Sequence, residues 1–230
     1  MATPALEDLA ARVHALDEAI EKRLEPLRNP TLDRFFYSLS SAADHGLIWA
    51  AIGSVRALRR RDPKLVARLT AVMSAESLFT NGFVKSFFRR VRPPEHFQHD
   101  EKLPYGMRRP ITSSFPSGHS ATAFMVATLL SEGTDAGPAY FTLAALISFS
   151  RVYVRMHHTS DVVGGAVLGL TLGHLVRRFV PLDPSPVLRD RSMLSSSPNL
   201  GAHPTAVRVR PTGRVGSRRS ASAAAVRTAP

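Results

Sequence analysis

The chain has 230 residues, 44% of them apolar, which fits one ordered domain with a real core and excludes global disorder. It contains no cysteine, so a disulfide framework, a thiolate nucleophile and a cysteine-held metal are excluded. The formal charge of +12 does not of itself indicate nucleic acid, because half of the excess lies in residues 181–230, with eight Arg against two Asp.

Residues 4–28 alternate acids and bases, so no uninterrupted apolar stretch marks a signal peptide there. Leu6, Leu9, Val13, Leu16, Ile20 and Leu27 recur at spacings of three, four and seven, which predicts one amphipathic helix with Thr3 as N-cap and Pro4 at its first position. Such a helix lies in a membrane interface or covers the domain, and composition does not choose between them. Asn29-Pro30 ends it. The expected organisation is an N-terminal helix at 1–30, a helical domain at 31–180 and a basic tail at 181–230.

Beyond Pro30 the pattern predicts helices near 31–60, 64–90, 118–132, 138–156 and 160–179, an all-α bundle with no competing strand signal. Their apolar cores, such as "HGLIWAAIGSV" and "ATAFMVATLL", fall short of the roughly 20 residues of an isolated membrane span, so hydropathy alone fits a buried soluble bundle equally well. Gly164, Gly165, Gly169 and Gly173 along the last helix allow the close helix contact common in membrane bundles.

Polar residues interrupt these helices at three places, where burial is costly unless the group is paired or used. In "KSFFRRVRP", Lys85 precedes Arg92 by seven residues, and Arg89, Arg90 and Arg92 also suit an ordinary basic helix end. In "SSFPSGHSA", Ser117 suits an N-cap and Pro116 its neighbour, but His119 has no capping duty, and a helix start receives anions. In "SRVYVRMHHTSD", His157 and Asp161 are four apart. They share a face if a helix starts near His157, so the carboxylate can fix the imidazole tautomer. Arg151 offers a planar fork for phosphate oxygens, or snorkels.

Together the three patterns read K-x6-R-P, P-S-G-H and S-R-x5-H-x3-D, and the sequence resembles the type 2 phosphatidic acid phosphatase superfamily over residues 40–180. Its relatives include bacterial acid phosphatases and vanadium haloperoxidases. The resemblance implies a phosphate clamp of Lys85, Arg92, Ser117, Gly118 and Arg151. It implies His157 as a nucleophile that forms a phosphohistidine, Asp161 as its orienting partner and His119 as general acid. It requires no metal and no cofactor. His158, at an adjacent helical position, points elsewhere and receives no catalytic role.

The implied activity is hydrolysis of a lipid phosphate monoester or diphosphate, with phosphatidic acid, phosphatidylglycerol phosphate and polyprenyl phosphates as candidates. Residues 94–115, which include His96 and His99, are the candidate segment for headgroup selection. Two other readings stand beside it: a soluble acid phosphatase or vanadate-dependent haloperoxidase, and a non-enzymatic protein that binds membrane or nucleic acid through its tail. The Ser, Ala, Pro and Arg content of 181–230 predicts disorder, without the aromatic interleaving of a single-strand binding platform. Nucleic acid is therefore not an expected partner. The charges of "RRRDPK", Arg177 and Arg178 place the end opposite the motifs in the cytoplasm, which predicts an integral protein of the cell membrane with an extracytoplasmic site.

Overall fold

In the computed structural model, which describes residues 4–93 and 112–180, every regular element among the described residues is helical. Thr3, residues 94–111 with His96 and His99, and the tail at 181–230 lie outside the described residues. Helix α1 spans Pro4–Leu24 and is followed by a 3-10 turn, Glu25–Leu27. Asn29 then starts α2, Pro30–Ala42, its side-chain oxygen accepting from the amides of Thr31 and Leu32 at 3.1 and 3.0 Å, while Pro30 takes the first position where no amide is needed.

The expected single helix over 31–60 is two. A 3-10 turn, Asp44–Gly46, separates α2 from α3, Leu47–Arg60, because His45 and Gly46 adopt positive φ of 55° and 70°. Glycine takes that conformation without strain and a histidine does not, so the break is held from outside the helix.

Helix α4 covers Lys64–Ser77, and the expected helix to residue 90 does not continue. The chain widens into a π turn, Leu78–Phe83, tightens into a 3-10 turn, Val84–Phe87, and leaves extended from Phe88. Buried Glu76 sits just before the widening and accepts from Thr80 Oγ1 at 2.8 Å and from Thr122 Oγ1 at 2.5 Å, which ties this segment to the next helix. Such π turns are frequent at functional sites.

Helix α5, Gly118–Leu130, is the centre of the bundle; Ala121, Ala123, Met125, Val126, Ala127, Leu129 and Leu130 are all buried. A helix apolar on every side belongs inside. It packs against α6, Gly137–Tyr153, and α7, Thr159–Phe179, while Trp49, Leu65 and Leu69 of α3 and α4 complete the core. Helices α5 and α7 run side by side in the same direction. The missing side chains of Gly165 and Gly169 admit the backbone carbonyls of Ser117 and Ala121, and a Cβ at either glycine would collide with them.

The outward face of α7 carries Val163, Val167, Leu175 and Phe179, all exposed, and α7 is the one helix among the described residues long and apolar enough to cross a membrane. Arg56 donates to the carbonyls of Leu130 and Glu132, so the turn after α3 and the turn after α5 share one end of the bundle. The three motifs lie at the other.

Candidate active site

The first motif leaves the helical bundle altogether. Lys85 sits in the 3-10 turn and Arg92 in the extended strand-like segment after it, and both are buried despite their charge. The extended segment is pinned across to the second motif: the Ser114 amide donates to Arg90 O at 3.0 Å and Ser114 Oγ to Val91 O at 3.2 Å. Arg92 Nη1 donates to Met156 O at 2.5 Å, and Nη2 reaches Thr112 O at 3.3 Å, so the guanidinium is braced on two sides.

The second motif starts α5. Ser117 is the N-cap, its Oγ accepting from the Ser120 amide at 3.4 Å, and its own amide donates to Asp161 O at 3.0 Å. The cap and the α7 start are therefore fixed to each other. Gly118 opens the helix against Asn81 of the π turn, where an added Cβ would lie 2.8 Å from Asn81 Oδ1. His119 follows, and its Nε2 lies 2.8 Å from Asp44 Oδ1, which leaves Nδ1 for another partner.

The third motif is built on a sharp turn between α6 and α7. Helix α6 stops at Tyr153 rather than at 156, and Arg155 takes a positive φ of 55°. The amides of Met156 and His157 both return to Arg151 O, at 3.0 and 3.1 Å, so the turn folds His157 back over the end of α6. Helix α7 begins at Thr159 with His158 as N-cap, within one residue of the expected start at 160 but after His157, not at it. His157 lies outside the helix, yet its Nδ1 still faces Asp161 Oδ2 at 3.6 Å. Arg151 is buried, donates to Ser40 Oγ and has Asp44 Oδ1 at 3.8 Å; its Nε has no hydrogen-bond partner among the described residues.

His157 is sandwiched between two chemically different neighbours. Arg92 Nη1 lies 3.3 Å from His157 Nε2. A guanidinium can only donate, so Nε2 must present its lone pair there and the ring proton sits on Nδ1, toward Asp161. Burial, together with the positive charges of Arg151 and Arg92, pulls the imidazole down to about 3 even though Asp161 opposes the shift. The ring is thus neutral at physiological pH, with its lone pair in a cationic pocket. Burial and the repulsion of Arg92 and Arg151 likewise lower the Lys85 ammonium to about 8.

All eight residues singled out from the sequence fall at this one end of the bundle, and the structure adds others. Asp44 is the partner of His119, Ser40 and Asp44 hold Arg151, and Arg90 reaches Asp161 Oδ1 at 2.7 Å. The triplet Asp44-His45-Gly46 is a turn signal inside an otherwise helical pattern, and it marks the break that delivers Asp44. His158 is buried, its Nδ1 2.7 Å from Glu21 of α1 and its Nε2 3.3 Å from Val91 O.

The PAP2 superfamily model matches residues 65–184. Lipid A 4'-phosphatase of Porphyromonas gingivalis is 30% identical over 196 residues, covering 80% of this chain and 78% of that one. Decaprenylphosphoryl-5-phosphoribose phosphatase of Mycobacterium tuberculosis is 30% identical over 60% of this chain and 75% of its own length. The crystal structure of a transmembrane PAP2 type phosphatidylglycerolphosphate phosphatase from Bacillus subtilis superimposes with a TM-score of 0.57. It shares 27% identity and covers 73% of this chain and 86% of that one.

Proposed function

The chain belongs to the PAP2 superfamily, and on that premise we propose that it hydrolyses the phosphate of a membrane lipid through a phosphohistidine on His157. Membership makes it a phosphoric ester hydrolase of the membrane lipid phosphatase branch. The observation that carries the mechanism is the placement of buried His157, with Nε2 3.3 Å from Arg92 Nη1 and Nδ1 3.6 Å from Asp161 Oδ2.

In this reading Lys85, Arg92 and Arg151 hold the phosphoryl oxygens with the Ser117–Gly118 helix start. Phosphoryl transfer asks the protein mainly for position and for opposite charge, which three cations and the α5 amides supply. Nε2 of His157 attacks phosphorus as the bond to the leaving oxygen breaks, and that oxygen takes a proton from His119. The imidazolium formed at His157 is stabilised through Nδ1–H by Asp161, whose carboxylate is pre-oriented by Arg90 and by the His158 amide, which donates to Oδ2 at 2.9 Å. Water then attacks phosphorus, the P–N bond breaks, and His119 takes the proton of that water. Asp44 holds His119 for both proton transfers.

Candidate substrates are phosphatidic acid, phosphatidylglycerol phosphate, and a polyprenyl phosphate or diphosphate; the relatives are named for a lipid A 4'-phosphate, decaprenylphosphoryl-5-phosphoribose and phosphatidylglycerolphosphate. The clamp reads phosphate, and residues 94–115, of which 112–115 are described, are the proposed selectors of the rest. Phosphate release from a panel of these lipids in detergent with EDTA present tests the reading. Release from at least one lipid, lost in His157→Ala, is expected; strict dependence on an added divalent ion contradicts it.

The pH dependence follows from Lys85. An ammonium held at about 8 is charged at neutral pH and loses its charge as pH rises through 8. The kcat/KM profile of the free enzyme is therefore expected to fall on the alkaline side near that value. A bound phosphate stabilises the ammonium, so the kcat profile falls at higher pH. Lys85→Arg, which stays charged, is expected to remove this limb from kcat/KM, and an unchanged limb would assign it to another group.

We also place the site outside the cytoplasm of a cell-membrane protein. Arg59, Arg60, Arg61, Arg177 and Arg178 gather at the end opposite the motifs. Because the chain has no cysteine, single cysteines report on sidedness directly. An impermeant maleimide should label Lys22→Cys in intact cells and Asp135→Cys only after permeabilisation; the reverse pattern inverts the orientation.

A further inference from the structure

The amphipathic helix α1 makes an unexpected use of its acidic residues. Asp17 and Glu21 of α1 and Glu25 of the 3-10 turn that continues it are four apart, so they form one stripe. Each meets a different part of the catalytic turn and its support. Glu25 pairs with Arg155, the residue with positive φ. Glu21 Oε1 lies 2.7 Å from His158 Nδ1.

Asp17 is the most deeply placed of the three, at 1% exposure, in a helix otherwise largely exposed. It accepts from the Ser160 amide at 2.9 Å, from Ser160 Oγ at 2.6 Å and from Arg90 Nη2 at 2.6 Å. Arg90 in turn donates through Nη1 to Ser160 Oγ at 2.6 Å and to Asp161 Oδ1 at 2.7 Å. A buried carboxylate with this many charge-assisted bonds fixes the groups around it far more strongly than a surface pair would. The Ser160 amide belongs to the first turn of α7, where no carbonyl of the helix can reach it.

We propose that α1 is a brace of the catalytic apparatus: Asp17 is a positioning residue that, through Arg90 and Ser160, sets the carboxylate of Asp161 and so the orientation of His157. The inference rests on the assignment of His157 as nucleophile. Arg90 divides its two terminal nitrogens between Asp17 and Asp161. Without the Asp17 charge the guanidinium has one carboxylate instead of two, and it is free to pivot about Asp161 and to draw it away from Nδ1 of His157. The substrate phosphate is held by other cations. The change is therefore felt in the chemical step and not in binding.

The test is a double-mutant cycle on the full chain. Asp17→Asn, which keeps the side-chain size, is expected to lower kcat about tenfold to a hundredfold with KM within about twofold, the range found for hydrogen-bonding partners that orient a ligating imidazole. In an Asp161→Asn background the same substitution is expected to cost less than about twofold, because the group it positions is already gone. Ser160→Ala, which removes only part of the brace, should show a smaller loss with the same dependence on Asp161, and it carries the test if Asp17→Asn does not fold. Equal losses in both backgrounds, or parent kcat in both single variants, overturn the brace. His157→Ala measured alongside separates the cases: an active His157→Ala removes the nucleophile assignment itself, whereas an inactive one with an additive cycle removes only the role of α1.

Discussion

His157→Ala is expected to lower phosphate release by about 10⁴-fold or more, with the protein still folded. The size follows from the division of labour at the site. In the proposed mechanism Lys85, Arg92 and Arg151 still bind and polarise the substrate, so KM is expected to change little, but no atom remains to accept the phosphoryl group. The fold is expected to survive, because the α7 start is not built on the imidazole: His158 and Asp161 cap it, and Arg90 holds the Asp161 carboxylate independently. Thermal unfolding in detergent at a midpoint close to the parent, with phosphate release at the limit of detection, is the predicted pair of results.

The second large effect is at His119, and its signature is a dependence on the leaving group. A general acid contributes about 10²–10⁴-fold where the departing oxygen is a poor leaving group, and little where it departs unaided as a stable anion. His119→Ala is therefore expected to slow release from a lipid phosphate by about 10²–10³-fold and from 4-nitrophenyl phosphate by less than about tenfold. Asp44→Asn should follow the same pattern at smaller size, since Asp44 Oδ1 lies 2.8 Å from the ring and acts through it in the proposed mechanism. Equal losses on both substrates would move His119 from proton donor to phosphate binder.

The candidate site residues stood out in the sequence because each carries an unusual cost. Lys85, Arg92, His119, Arg151, His157 and Asp161 interrupt apolar segments, and a polar group placed there is either paired or used. The all-α class and a close helix contact along Gly165 and Gly169 were legible for a related reason, since apolar period and small residues report directly on packing; that α5 is the helix met there came from the structure. What was not legible is how the chain leaves its helices. The π turn at Leu78–Phe83 and the fold-back at Arg155 lie in sequence that reads as helix, and the one turn signal, at Asp44–Gly46, sits inside an otherwise helical pattern that outweighs it. They persist because tertiary partners hold them: Asp44 by His119, the π turn through Glu76 by Thr122, Arg155 by Glu25. Local propensity carries no trace of such partners.

The same holds for the supports of the site. Arg90 read as part of an ordinary basic helix end, and Asp17 lay unmarked among the alternating acids and bases of residues 4–28. Their meeting joins positions 73 residues apart. The N-terminal helix was left between membrane surface and cover for the domain; in the structure its acidic stripe faces the turn from α6 into α7, while Leu9 and Leu16 remain exposed. The apolar period located the helix, and the acids located its partner.

The most direct test of the central claim is rapid quenching of the enzyme with a lipid substrate carrying labelled phosphorus. A phosphohistidine is stable in alkali and labile in acid, unlike a phosphoserine or an acyl phosphate, so both the chemistry and the position of the label are informative. The account predicts a transient phosphoenzyme with that stability, mapped to His157 and absent from His157→Ala. Label on another residue, or steady turnover with no phosphoenzyme at any quench time, would contradict it.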